Sequence, residues 1–338
     1  MLTLIFSVLI FGLLIGVHEA GHLIAAKKCG VLVHEFSIGM GPKLFSFTRG
    51  ETLYSLRLIP IGGFCNMEGE DGESDSEKAF CNKHPLKKII ILVSGALMNV
   101  LLGFLCLCIM FSFMDTLPTT LVNSVSEDAP AYKQGLISGD RILKVNGKRI
   151  IVKTDIDTQM YLSDSKDITL TVEREGEIKE LNISPYTENG RKLIGITLKQ
   201  EENTFFKLLA FSFKYTISIC NSVLMTLGML IKGTISFNET SGPVGIVTVI
   251  GQAASGIVNK DMIFNLLNIT ALITINLGMF NLIPIPALDG GRVVFALIEL
   301  FTRKKISAKL EGYVHGIGMV ALLVLMVFVT YNDVLRLF

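Results

Sequence analysis

The chain has 338 residues, of which 50% are hydrophobic and only 18% charged, with a net charge of +1. Soluble domains carry about 25% charged residues, so this balance favours a membrane protein. The near-zero net charge argues against a nucleic-acid-binding surface, because no global basic field is available.

Residues 1–17 carry no charge, and apolar character continues past His18 and Glu19 to Ala26. That run is long enough to cross a bilayer as a helix. A cleaved signal peptide would place positive charge before the apolar run, whereas Lys27 and Lys28 follow it. Further spans are expected at about Ile89–Met114, Met262–Ile283 and Gly312–Tyr331. Placing Lys27/Lys28, Lys87/Lys88 and the basic loop of Arg303, Lys304, Lys305 and Lys309 in the cytoplasm satisfies the positive-inside rule with four spans. Residues 115–260 then lie outside. Phe205–Ile231 is apolar enough to span, but Lys207 and Lys214 interrupt it, and a fifth crossing would invert the lysine pattern. It is expected to lie on or dip into the outer leaflet.

Between these spans, Phe36–Phe47 and Thr52–Phe64 alternate like strands interrupted by Gly and Pro. Residues 118–200 read as a small β-rich domain. Ile142–Val145 runs into an Asn146-Gly147 turn, and Ile168–Glu173 pairs with Ile178–Ser184 across a tight connection. No cysteine falls within it, so no disulfide framework is expected there. The acidic stretch Glu68–Glu77 reads as a solvated cytoplasmic loop.

His18-Glu19-Ala20-Gly21-His22 is an HExxH motif. Residues four apart share a helix face, so both histidines can offer a ring nitrogen to one metal. Glu19 is offset around the helix and can act as general base on water without being a ligand. Ionisable groups at the centre of a spanning helix cost about 2.5–3.5 kcal/mol even on the lenient insertion scale, and metal ligation supplies a reason for them. A catalytic zinc needs a third protein ligand and an open position. Asp289 is the better candidate, because Pro284, Pro286, Gly290 and Gly291 must break the helix beside it. Irregular backbone at membrane depth survives only where protein or a cavity satisfies it. His315, in the last span, is the runner-up.

HEAGH in the first span and NLIPIPALDGG closing a later one resemble the site-2 protease family of intramembrane zinc proteases, over nearly the whole chain. The resemblance implies Zn2+ held by His18, His22 and Asp289, Glu19 as catalytic base, and Asn281 holding the substrate backbone near the metal. It also implies that the strand-like region after the first span is a β element re-entering the membrane. Ser94–Asn99 and Ser241–Ile246 match stretches typical of the same family. APAYKQGLISGDRILKVNGK is similar to a PDZ domain, although the Gly-rich carboxylate loop is missing near Leu117–Leu121.

The expected protein is thus an α-helical multi-pass cell-membrane protein of about four transmembrane helices, with a membrane re-entrant β element and one extracytoplasmic PDZ-like β-rich domain. Its parts are a first transmembrane helix (1–28), a cytoplasmic-side connection with the re-entrant element (29–86), a second helix (87–115) and the PDZ-like domain (116–200). A membrane-associated amphipathic segment (201–260), a third helix (261–292), a basic cytoplasmic loop (293–311) and a fourth helix (312–338) follow. Expected partners are the bilayer and single-span membrane proteins or signal-peptide remnants as substrates, with an upstream site-1-type protease and no nucleic acid. Two rival readings are a non-catalytic membrane PDZ scaffold with a vestigial metal site and a zinc transporter. All four catalytic residues are present, against the first, and the other spans hold few polar residues, against the second.

Overall fold

The computed structural model describes residues 2–70, 72–163, 167–188, 191–234, 242–254 and 259–336. The chain forms two compact units, one of Met1–Leu107 with Ile219–Phe338 and one of Cys108–Ser218.

The first unit begins with α1, Leu2–Lys28, a proline-free apolar run. It ends at Gly30, whose left-handed backbone lets the Gly30 and Val31 amides donate back to the Lys27 and Ala26 carbonyls. Lys27 and Lys28 complement the negative end of the helix dipole. The chain then forms two long antiparallel strands, β1 (Val33–Arg49) and β2 (Thr52–Met67). They are not a flat ladder, since Ser37 of β1 lies opposite both Phe64 and Ser55 of β2. Left-handed glycines at 39, 41 and 62 supply the bends that fold the ribbon onto itself. β2 runs along α1, with Gly63 against Glu19 and the Pro60 carbonyl against Gly12. The ribbon therefore reaches past the middle of α1, and Met40, Leu44, Phe45, Leu58 and Ile59 on it are half or more exposed. After a 3-10 turn at Phe80–Asn82 comes α2, Pro85–Ser112.

The second unit is β-rich. Its main sheet contains β3 (Thr116–Val125), β4 (Arg141–Val145), β5 (Lys148–Arg149), β6 (Ile168–Arg174), β7 (Glu177–Ile183) and β10 (Ile196–Glu202). The order is β10-β3-β4-β6-β7, with β5 paired to β4. The short strands β8 (Tyr186–Glu188) and β9 (Arg191–Leu193) pair separately, and the helices are α3 (Pro130–Lys133) and α4 (Lys153–Leu162). Both expected hairpins form. Asn146-Gly147 and Glu175-Gly176 each have two consecutive positive φ angles, the geometry of a two-residue turn matched to strand twist. Ile142, Ile168, Leu170, Val172 and Ile183 are fully buried in one core. Asp140 is also fully buried, held by two hydrogen bonds from the Arg174 guanidinium at 2.7 and 2.8 Å.

The long helix α5, Phe205–Ile231, crosses the boundary between the units in sequence. The first unit resumes through α6 (Pro243–Ala253), α7 (Lys260–Asn281), α8 (Asp289–Thr302) and α9 (Ala308–Leu335). Ser241 lies outside the described residues, while Gly242 caps α6. Asp333, buried near the end of α9, accepts from the Gly242 and Gly245 amides and so neutralises the start of α6. At its other end α6 meets the start of α1, where Gly251 packs on Thr3.

Among the described residues, α1, α2, α5, α7 and α9 are long and apolar enough to cross a membrane. The exposed faces fit that solvent: on α9 Val320, Val324 and Val327 are each more than 60% exposed. Two segments differ from the sequence expectation. The third apolar helix stops at Asn281, because Pro284 and Pro286 restrict the residues before them to extended backbone. Much of the expected basic loop is instead helical, since α8 carries apolar residues at helical spacing (Val294, Leu297, Ile298, Phe301).

Candidate metal centre

Three residues from two helices of the first unit meet at one point. His18 and His22 project from one face of α1 and are buried. Asp289 is the first residue of α8, placed there by the sharp return of residues 282–288. That return needs its small residues: a Cβ on Gly290 or Gly291 would overlap the Ile283 or Ile285 carbonyl. Ala287 holds a left-handed φ of 77°, and its amide donates to His315 Nδ1 at 2.9 Å. His315 thus braces the turn that presents Asp289 and does not itself join the cluster.

The geometry converges on a single oxygen. Asp289 Oδ2 lies 3.2 Å from His18 Nε2 and 3.4 Å from His22 Nε2, and the two nitrogens are 3.2 Å apart. One ligand atom from each residue falls within 4.8 Å of the others, and no other such group of three occurs among the described residues. Asp289 Oδ2 is buried without a hydrogen-bond donor among the described residues. An orphaned carboxylate oxygen beside two imidazole nitrogens is a cation site by its donor chemistry. Two nitrogens and one oxygen with an open side match the ligand set of a catalytic zinc.

His22 Nδ1 donates to the Ile91 carbonyl at 2.9 Å, which fixes the tautomer and leaves Nε2 free as a ligand. Glu19 lines the same cleft, a cavity of about 450 Å³, and accepts a backbone hydrogen bond from Cys65 of β2. The stretch Gly63–Met67 forms the opposite wall. Asn281, at the end of α7, places its amide nitrogen 3.5 Å from both ring nitrogens of His18. All five sequence-derived site residues are therefore brought together.

The α1–α2 contact beneath the site is unusually close. A Cβ on Gly21 would sit 2.5 Å from the Ser94 carbonyl, and one on Gly95 would overlap His22 Nε2. The acidic loop after β2 is also tied down, with Arg292 donating to Glu70 at 2.7 Å and Ser74 to Glu68 at 2.6 Å. The Ile91 and Cys65 contacts had no sequence signal, because both are made by backbone atoms.

A model of the peptidase family M50 matches residues 6–325. The chain belongs to that family, the site-2 proteases. As an M50 member it has relatives that align with it almost from end to end. One from Clostridium acetobutylicum, provisionally named a zinc metalloprotease, is 38% identical, with 98% of this chain and 97% of the relative covered. A similarly named protein from Clostridium perfringens is 36% identical over 98% of both chains. Another from Staphylococcus aureus is 30% identical, with 100% of this chain and 99% of the relative covered. Membership implies zinc, and the donors of His18, His22 and Asp289 fit that ion.

Proposed function

We propose that the protein is an intramembrane zinc endopeptidase that hydrolyses peptide bonds within or near the spans of single-span membrane proteins or signal-peptide remnants. The observation that carries this reading is the meeting of His18, His22 and Asp289 beside Glu19 on a helix otherwise fit to cross a bilayer. His18, His22 and Asp289 would hold the zinc, which when bound acidifies water and stabilises charge developing on the scissile carbonyl oxygen. The Glu19 carboxylate removes the proton from the attacking water and delivers it to the departing amide nitrogen. The Cys65 amide holds that carboxylate toward the cleft. Asn281 has the reach to hold the substrate backbone beside His18. A helical substrate hides its carbonyls and must be extended before attack. The Gly63–Met67 wall offers backbone groups of β2 for pairing with such an extended segment.

The topology reading remains four spans, with α5 along the outer leaflet and the β-rich unit outside as a PDZ-like domain. Two contacts support it. α6 meets residue 3 at one end and residue 333 at the other, so the segment after α5 belongs with the chain ends that the lysine pattern puts outside. In the β-rich unit a groove of about 620 Å³ lies between α4 and β10, lined by Ile156, Met160, Ile196 and Leu198. It suits an extended peptide. An upstream protease that trims the outer part of the substrate fits the same reading.

The test is cleavage of a single-span substrate by purified protein in detergent, alongside Glu19→Gln and a chelated sample. Wild type should cut within the span. Glu19→Gln should lose about 10²–10⁴-fold in rate while keeping its zinc. A variant that cuts as fast as wild type would sink the mechanism.

A further inference from the structure

One helix holds both metal-binding histidines from behind. Ile91, Gly95 and Asn99 are spaced by four along α2 and form one stripe. The Ile91 carbonyl takes the Nδ1 proton of His22 at 2.9 Å. Gly95 leaves room for both rings, since a Cβ there would also sit 2.8 Å from His18 Cε1. Asn99 lies fully buried, with its side-chain amide 3.4 Å from His18 Nδ1. We propose that Asn99 is the positioning residue for His18, its amide oxygen accepting the Nδ1 proton and so dedicating Nε2 to the metal.

A neutral imidazole donates from one ring nitrogen and accepts at the other. His18 Nε2 is the atom that faces Asp289 and His22, so it must keep its lone pair for the metal. The ring proton then resides on Nδ1 and requires an acceptor. With the Asn99 nitrogen toward His18, two donors would face each other. The Asn99 Oδ1 is meanwhile buried with no donor among the described residues. A half-turn of the amide exchanges oxygen and nitrogen, which are nearly equal in size, and answers both needs at once. The Asn99 backbone is already fixed, because its carbonyl accepts from Thr274 at 3.1 Å and Gly278 packs against its Cβ. Asn281 is a poorer holder. Its amide is equidistant from both ring nitrogens and partly exposed, which suits a group that meets substrate.

This inference rests on the reading that His18, His22 and Asp289 bind zinc, and the experiment separates the two. Zinc affinity would be measured by chelator competition on the full chain in detergent for wild type, Asn99→Ala and Asn99→Asp. The d–d spectrum of the cobalt-loaded proteins and their Tm would be recorded in parallel. Loss of the acceptor in Asn99→Ala should weaken zinc about 10- to 100-fold and shift the cobalt bands. Asn99→Asp, which keeps an acceptor oxygen, should restore both. If Asn99→Ala binds zinc as wild type does, the positioning role is wrong. If both variants lose affinity equally, in step with a fall in Tm, Asn99 only packs two helices. If wild type binds no zinc at all, the metal reading itself falls, and this inference falls with it.

Discussion

Asp140, fully buried, and Asp289, partly buried, belong to the two different units and obey different rules. In the β-rich unit Asp140 is enclosed, and Arg174 neutralises it with two hydrogen bonds. Its burial would raise the carboxyl pKa, but the guanidinium reverses this and holds it below the usual carboxylate range. In the other unit the Asp289 oxygen that faces the two histidines receives no hydrogen bond among the described residues. One is a finished structural pair, and the other faces two imidazole nitrogens across a cleft that Glu19 also lines. A buried acid is therefore diagnostic through what faces it rather than through burial alone.

The largest effect should come from removing the incomplete acid. Asp289→Ala should leave the purified protein with little or no zinc and no cleavage, read by metal analysis beside the substrate assay. Should it retain one zinc per chain, the contrast drawn with Asp140 would lose its basis. Gly95→Ala comes next. A methyl group there meets both rings, so overpacking should cost about 1–3 kcal/mol and weaken zinc binding as well as thermal stability. A variant of normal stability and affinity would show that α2 does not press on the site.

Removing the finished pair should do the reverse. Asp140→Asn should destabilise the β-rich unit by about 1–3 kcal/mol, by loss of charge-assisted hydrogen bonds, while zinc content stays at the wild-type level. Faster amide exchange in β4 and β6 would report it. The smallest effect is acid-dependent. Because the folded pKa of Asp140 is depressed, its contribution is complete above the unfolded value of about 3.9. It fades as pH falls through the lower folded value. Exchange in β4 and β6 should therefore be insensitive to Asp140→Asn only at the acid end. An unchanged difference between the two proteins down to that limit would mean that the carboxyl is not held low.

How legible the molecule was in its sequence follows from the same physics. HExxH reads directly, because two histidines four apart share a face in any helix. Asp289 could be placed because prolines and glycines at membrane depth demand a buried irregular turn. The Asn146-Gly147 hairpin reads from turn chemistry alone. The doubled pairing of β1 with β2 does not, since it depends on where left-handed glycines bend two long strands. Nor does α8, whose apolar face is hidden between a proline turn and a basic run. The Ile91 and Cys65 contacts are made by backbone atoms, which no side-chain pattern encodes.

The central claim is that zinc sits between His18, His22 and Asp289, and X-ray absorption at the zinc edge of the purified protein tests it most directly. The spectrum should show two imidazole nitrogens, a carboxylate oxygen and a further light atom, with no sulfur. A sulfur ligand, for which Cys65 at the cleft wall is the nearest source, or a spectrum unchanged in Asp289→Ala, would contradict that claim.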